Sequence, residues 1–459
     1  MEEEKPKKKR KKAPIKREPS SSLEMAEREE TRPKVKKASE ESEKEHKAPW
    51  QNQMATPAEV RAFLEDHVFL RHNVITNRVE CRLPETDPFE KDWFAGFPKG
   101  VWMPISDRIV NTLWEMMSLE KRVRAEDMHR VIGSNLAPDY HPFRYYLDHL
   151  PPWDGDDYIM ELSMSVAVKG GVDEQFRFAE YLRKWLVAMV AAWVDPTVVN
   201  NVILVLIGEQ GSYKTTWFHY LLPEELRQYF YTKTNANRMG RDDLLTLAQY
   251  GLVCCEELDT MRPAELNQLK AAVTMPAIDE RAAYAHYHEH RHHIASFCGT
   301  GNNVQFLSDP TGNRRWLPFE VDFIMSPRDN PLNYGAIYAQ AYTLYRQGFQ
   351  YWFAQDEIQR LTQYNRHFET PRLEAELVDV FFRKPVGVEP GEFMPVARAK
   401  QIVCGSMAHE ISDVRLGRAF SELGFTFKRT KFSRGYIVVQ RSSEEIRSRM
   451  QMLAVTDDG

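Results

Sequence analysis

The spacing of apolar residues divides the 459-residue chain into unlike stretches. Residues 1–49 are mostly Lys, Glu, Ser and Pro, with hardly any aromatic or β-branched residue. Such a segment buries too little surface to offset its chain entropy, so a disordered charged tail is expected. Over 50–150, "SDRIVNTLWEMMS" and "RAEDMHRVIGSNL" repeat apolar residues at helical spacing. "TPAEVRAFLEDHV" opens with Thr56 ahead of Pro57, a helix-start signal, and "HNVITNRVECRL" alternates around Thr76-Asn77 as a hairpin would. A mostly helical accessory domain is the expectation there, serving either docking or DNA contact or only structure. After a Pro-Pro turn, "FRFAEYLRKWLVAMVAAWV" sets Phe178, Leu182, Trp185, Leu186, Met189 and Trp193 on one helical stripe, the mark of a core helix. "NVILVLIG" then runs apolar from Val202 to Ile207 without a break, which predicts a strand buried on both faces, as in a parallel sheet flanked by helices.

That strand leads into "GEQGSYKTTW", residues 208 to 217. The stretch Gly208, Glu209, Gln210, Gly211, Ser212, Tyr213, Lys214, Thr215, Thr216 follows the phosphate-loop pattern G-x-x-x-x-G-K-[ST] except at Tyr213, where the second glycine belongs. Strand before and helix after are the context the motif requires. Main-chain N–H groups around Gly208 to Lys214 can form an anion nest, and the helix N-terminus adds partial positive charge. Lys214 is placed to hold the β- and γ-phosphates of ATP, and Thr215 to ligate Mg²⁺. Tyr213 keeps its N–H but resists positive φ, at a cost of roughly 1–2 kcal/mol if that position needs it; the alternative is that Gly211 takes up the turn and leaves Tyr213 near helical geometry.

Two further strands end in polar residues. "LVCCEELD" runs from Leu252 to Cys255 into Glu256, Glu257 and Asp259. Phosphoryl transfer needs one carboxylate near Mg²⁺ and another to orient water, and spacing makes Glu256 the metal-side acid and Glu257 the base. The competing reading is a strand-to-helix junction where acids favour the helix start. "IASFCGTGNN" ends in Thr300, Asn302 and Asn303, and an amide there can touch a γ-phosphate; a simple turn would also explain it. "DPTGNRRWLPFEV" follows, in which Arg314 and Arg315 can serve a neighbouring subunit's ATP, or form only a surface salt bridge.

Charge adds little to this picture except locally. The net charge is -5, but residues 1–49 carry 16 Lys/Arg against 12 Glu. "PKKKRKK" at 6–12 reads as a solvated tail more readily than as a nuclear-targeting signal. Between the acidic and third strands, "DERAAYAHYHEHRHH" reads first as a solvated strand or hairpin and next as a DNA contact, with Arg281, Tyr284, His286, His288, His290 and Arg291 for phosphate and stacking contacts; the alternating His residues also suggest metal, which their close spacing disfavours. At the C-terminus, "PVARAKQIVCGSM" and "SDVRLGRAFSELGF" read as helices, the second capped by Ser412. "FTFKRTKFSRGYIVVQ" then places Lys428, Arg429, Lys431 and Arg434 near a hairpin turn. Helix, helix and basic hairpin make a winged-helix-like pattern, suited to DNA or to protein docking. The five cysteines (Cys81, Cys254, Cys255, Cys298, Cys404) form no CxxC pair and read as reduced thiols of a cytoplasmic protein. No run is apolar enough to span a membrane, and the N-terminus lacks the apolar stretch of a secretory signal.

In this order, "YYLDHLPPWDG", "GEQGSYKTTW", "EELDTMRPAELNQLKA", "FCGTGNN" and "DPTGNRRWLPFEV" resemble the virulence-associated E family, P-loop ATPases of phages, plasmids and genomic islands related to superfamily-three helicases and the AAA+ class. The resemblance is strong over roughly 140–350 and weaker on either side. It implies an α/β fold: a P-loop AAA+-like parallel-sheet core at 151–330, a helical lid or linker at 331–372, a helical N-terminal module and a C-terminal winged-helix-like module at 373–459. It matches Lys214 and Thr215 to the loop residues, Asn302 to the polar sensor and Arg314/Arg315 to the arginine-finger block. Glu257 and Asp259 match the acidic block better than Glu256 does, so the individual roles stay open. Tyr213 departs from the general loop pattern, although some members carry a bulky residue there. The implied function is an ATP-dependent DNA helicase in mobile-element replication. Its implied partners are single-stranded or forked DNA and further copies in a ring, a hexamer by resemblance. No primase-like acid constellation occurs at 50–150, so a primase would be a separate partner. The alternatives are an ATP-switched DNA-binding regulator and a phage-defence ATPase without unwinding.

Overall fold

A computed structural model describes residues 53–85, 93–233, 241–280, 289–307, 313–370, 373–405, 411–431 and 433–456. The charged tail at 1–49 lies outside the described residues. Thr56 caps helix α1 (Pro57–His67) through a reciprocal capping box with Glu59. The hairpin follows as β1 (Phe69–Asn73) and β2 (Arg78–Arg82), with Asn77 in the left-handed region at its turn. β3 (Trp102–Pro104), α2 (Asp107–Glu120), α3 (Ala125–Ile132), β4 (Asp139–Tyr140) and α4 (Pro142–Asp148) complete this module. It is less helical than expected, because the four strands form one sheet in the order β3-β2-β1-β4. The reason is visible in the pairing: β3 and β4 are three and two residues long, and β4 joins β1 in parallel from 67 residues downstream, His72 opposite Asp139.

The central part comprises α5 (Tyr158–Met164), β5 (Val166–Val168), α6 (Val172–Val194), β6 (Ile203–Ile207), α7 (Lys214–Leu221), β7 (Phe230–Lys233), α8 (Arg241–Gln249), β8 (Leu252–Cys255), α9 (Pro263–Val273), β9 (Ala277–Glu280), β10 (Glu289–His292), β11 (Ser296–Gly301), β12 (Trp316–Ile324), α10 (Tyr334–Arg346) and α11 (Gln355–Tyr364). Its six-stranded sheet has the order β5-β12-β6-β11-β8-β7; all neighbours are parallel except the edge pair β5–β12. β6 is buried along its whole length, as its unbroken apolar run predicts. Leu204 and Leu206 face one core with α6, α7 and α10. Ile203, Val205 and Ile207 face another with α8 and α9. The predicted stripe of α6 is fully buried, and its two tryptophans keep their indole N–H groups paired, Trp185 to the Phe297 carbonyl and Trp193 to the Gly251 carbonyl, both at 3.0 Å. β9 and β10 pair antiparallel as a two-stranded ribbon.

The C-terminal part has its own core, built on Leu416, Phe420, Tyr436 and Val438. It contains α12 (Leu373–Phe381), β13 (Phe382–Arg383), β14 (Glu392–Pro395), α13 (Val396–Cys404), α14 (Asp413–Glu422), β15 (Thr426–Arg429), β16 (Arg434–Gln440) and α15 (Ser443–Thr456). Helix, helix and hairpin follow in the expected order. Ser412 stands at the N-cap of α14 but its side chain makes no capping bond. Four of the five cysteines are buried, and Cys404 is half-buried. Among the described residues, no helix is long and apolar enough to cross a membrane.

Candidate active site

The chain leaves β6 at Ile207 and must reverse sharply to start α7. Gly208 is pinned at once: its N–H donates to the Gly301 carbonyl at 3.1 Å, and a Cβ there would sit 3.1 Å from the Val321 carbonyl oxygen. The loop therefore begins tied to the tip of β11 and pressed against β12. Gly211 has φ +86 and Tyr213 has φ 62. Of the two alternatives, Gly211 alone does not absorb the turn. A second left-handed residue is used directly before Lys214, at the position where the general motif has glycine, and a non-glycine residue there costs roughly 1–2 kcal/mol. The phenol of Tyr213 is 45% exposed, so packing does not repay that cost.

Lys214, the first residue of α7, is buried. Its ammonium donates to the carbonyls of Gly208 and Glu209, each at 2.6 Å, and to Ser212 Oγ at 3.2 Å. Asn302 Oδ1 lies at 3.4 Å. Burial holds the lysine below its ordinary pKa, while the nearby Asp259 carboxylate acts in the other direction. Thr215 donates its hydroxyl hydrogen to Glu256 Oε1 at 2.8 Å, so the loop and the acidic strand meet through side chains 41 positions apart.

Strand order explains how the acids and the amide converge. β11 lies between β6 and β8, with Gly301 opposite Ile207 and Gly299 opposite Cys255. Its tip therefore separates the loop from the acids and touches both. Glu256 and Glu257 line one cleft of about 390 Å³ with Gln210 to Thr216, Thr300, Gly301 and Asn302. Glu257 is exposed and, like Tyr213, sits in the left-handed region at φ 53. Two of the three non-glycine residues with positive φ among those described thus line one cleft, and such strain collects at functional sites.

Asp259 does not line the cleft. Its Oδ2 accepts the Asn303 N–H at 3.1 Å, which fixes the turn after β11. Its Oδ1 is buried with no hydrogen-bond partner. Gly299 makes this arrangement possible, because any Cβ there would overlap the Leu258 side chain next to Asp259. Sequence reasoning missed Gly299 and Gly301; the small residues of "GTGNN" were the available signal.

Arg314 and Arg315 are not in this cleft. They lie at the opposite end of the sheet, in a short turn before Trp316, which pairs with Ile203 at the start of β6. Four residue steps of β6 separate that end from the loop, about 13 Å of strand. Arg314 and Arg315 line a separate hollow of about 640 Å³ with Thr197, Thr274 and Trp352. Burial, and then the neighbouring Arg314, lower the pKa of Arg315.

Of the residues proposed for nucleic acid, Arg281, Tyr284, His286 and His288 lie outside the described residues. Arg291 turns inward, its guanidinium donating to the carbonyls of Ile75 and Ala248, so it ties the ribbon to the N-terminal hairpin. His290 pairs with Asp279 at 2.6 Å. Lys428, Arg429, Lys431 and Arg434 are exposed at the end of the β15–β16 hairpin, where Phe427 also stands exposed.

The donor set suits a magnesium–nucleotide complex. Among the described residues, no three His, Cys, Asp or Glu side chains are grouped to hold a metal by themselves. Mg²⁺ bound with a nucleotide needs only one or two protein ligands, because phosphates and water supply the rest. The pair Thr215 and Glu256 meets that need.

No curated protein matches the chain. Among solved structures, the chain is similar to one titled "The apo structure of NrS-1 C terminal region (305-718)", at 10% identity and a TM-score of 0.45, covering 84% of this chain and 99% of that one. A second, "The A form apo structure of NrS-1 C terminal region-CTR(305-718)", has 11% identity, a TM-score of 0.43 and covers 84% and 100%. Residues 147–370 match the family model described as "Virulence-associated protein E-like domain", and that span contains the loop, the acids, the β11 tip and the arginine pair.

Proposed function

We propose that this protein is an ATP hydrolase that drives a DNA helicase in the replication of a mobile genetic element. The observation that carries this reading is the Thr215–Glu256 hydrogen bond, which joins a phosphate-loop hydroxyl to a strand-end carboxylate beside the Lys214 ammonium. Amides of Gly211 to Thr216 and the Lys214 ammonium would hold the triphosphate of ATP. Thr215 and Glu256 would hold Mg²⁺, which when bound neutralises charge on the phosphate oxygens. Glu257, exposed in the cleft, would orient and deprotonate the attacking water. Asn302 reaches both Lys214 and the cleft and would read the γ-phosphate. Asp259 is a positioning residue that holds the Asn302–Asn303 turn.

Arg314 and Arg315 stand too far from their own cleft to serve it, which favours service to a neighbouring copy in a ring, a hexamer by family resemblance. The exposed basic hairpin at Lys428 to Arg434 supports a winged-helix-like DNA contact. A separate primase would act alongside. The test is phosphate release and strand displacement with single-stranded DNA titrated in, together with calorimetry of magnesium-dependent nucleotide binding. Turnover stimulated by DNA with strand separation supports the reading; nucleotide binding without strand separation would leave an ATP-switched regulator, and no magnesium-dependent binding would overturn the site.

A further inference from the structure

The N-terminal sheet presents a feature that the phosphate cleft does not use. Strand alternation sends Leu70, Val79, Cys81 and Met103 into the core of this module. The other face carries the register pairs Phe69 with Arg82, Arg71 with Glu80, and Arg82 with Trp102. On it, rings and guanidinium planes alternate. The Arg82 guanidinium carbon lies 4.7 Å from the Phe69 ring centre and 5.3 Å from that of Trp102. Arg71 lies 4.2 Å from Trp102 and 3.5 Å from Tyr140. Tyr140 in turn stands 5.5 Å from Tyr145. His149 stacks on Tyr145 at 4.1 Å, so seven planar side chains run in one series, in which Phe69 and Tyr145 are 53% and 54% exposed.

Stability alone does not call for this arrangement. The inner end of this face is buried at Asn73 and Glu80, but rings at its exposed rim add little to stability, and large exposed apolar groups in one series mark a binding surface. Charge points to the kind of ligand. Arg71 is neutralised by Glu80 at 2.6 Å, but Arg82 and the exposed Arg78 make no ion pair with any described residue. Planes for stacking beside unpaired guanidinium groups are what a nucleic-acid strand with unstacked bases requires: rings and guanidinium planes take bases of any sequence, and cations take phosphates.

We propose that this face binds a single nucleic-acid strand, with bases on Phe69, Trp102 and Tyr145 and phosphates on Arg78 and Arg82. The site is independent of nucleotide binding at Lys214 and is tested without ATP. The full-length protein is photo-crosslinked to oligothymidylate and the crosslinked peptides are mapped by mass spectrometry, while anisotropy of a labelled oligothymidylate gives affinity. Crosslinks at Phe69, Trp102 or Tyr145 are expected, with about a tenfold loss of affinity in a Phe69→Ala, Arg82→Ala variant. Phe69 is exposed, so the fold should persist; circular dichroism and an unchanged nucleotide affinity check it. Arg82→Lys keeps the charge and loses the plane, and should retain only part of the affinity. Crosslinks confined to other modules, affinity within twofold of the parent, or equal binding of blunt duplex would overturn the proposal.

Discussion

The two ends of the central sheet are built on opposite terms. At the C-terminal ends of β6, β11 and β8, Tyr213 and Glu257 hold left-handed backbone and one oxygen of Asp259 is buried unpartnered. At the other end, amides brace the backbone: Asn200 donates to the Trp185 carbonyl at 3.1 Å and to Ser296 Oγ at 3.0 Å, and Asn365 donates to the carbonyls of Asn313 and Trp316 at 2.6 and 2.9 Å, although its own Oδ1, like that of Asp259, is buried without a partner. Only there does the exposed Arg314 project with Arg315 beside it. The difference teaches that one end gives up stability to fix a geometry, while the other secures its backbone so that two cations can be presented outward.

Substitutions at each end test this contrast. Lys214→Ala should bring phosphate release down to background, with the thermal midpoint little changed; undiminished turnover would remove the strained end from the chemistry. Arg315→Ala should lower turnover about 10³-fold while nucleotide affinity stays the same. Mixing the Arg315→Ala and Lys214→Ala proteins should restore part of the activity, since some interfaces would then combine an intact loop with an intact arginine. Failure of the mixture to recover would end the assignment of Arg315 to a neighbour's site. Glu257→Gly should reduce turnover about 10²-fold or more yet raise the unfolding midpoint, because it removes both the carboxylate and the strain. Tyr213→Gly should stabilise by about 1 kcal/mol and leave turnover within twofold. A large loss of turnover in that variant would give the phenol a role beyond its backbone.

The parts legible in the sequence were those written in periodicity or in a motif. β6 and the α6 stripe follow from apolar spacing alone, Lys214 and Thr215 from the loop motif, and Glu256 and Asn302 from their places just after strands. The N-terminal sheet was not legible because β3 and β4 are too short to show alternation, and β4 reaches β1 from far along the chain. The φ of Tyr213 was hidden for a different reason. The sequence shows how many glycines a turn has, but how many left-handed residues it needs depends on where the next helix must point. Arg291 looked like a phosphate contact by charge and proved to be a brace by direction.

One buried amide sets how the modules behave together. Asn73 is 0% exposed; its Nδ2 donates to Glu80 at 2.6 Å and to the Tyr229 hydroxyl at 2.7 Å, and its Oδ1 accepts the N–H groups of Ile75 and Thr76. With Arg291 gripping the Ile75 carbonyl, the hairpin turn is fastened at two points, to Tyr229 just before β7 and to the β9–β10 ribbon. A swivel at residues 73–76 would strand several buried polar groups at once, each costing about 1–3 kcal/mol. The joint between the N-terminal hairpin and the residues leading into β7 therefore resists swivelling as a brace would.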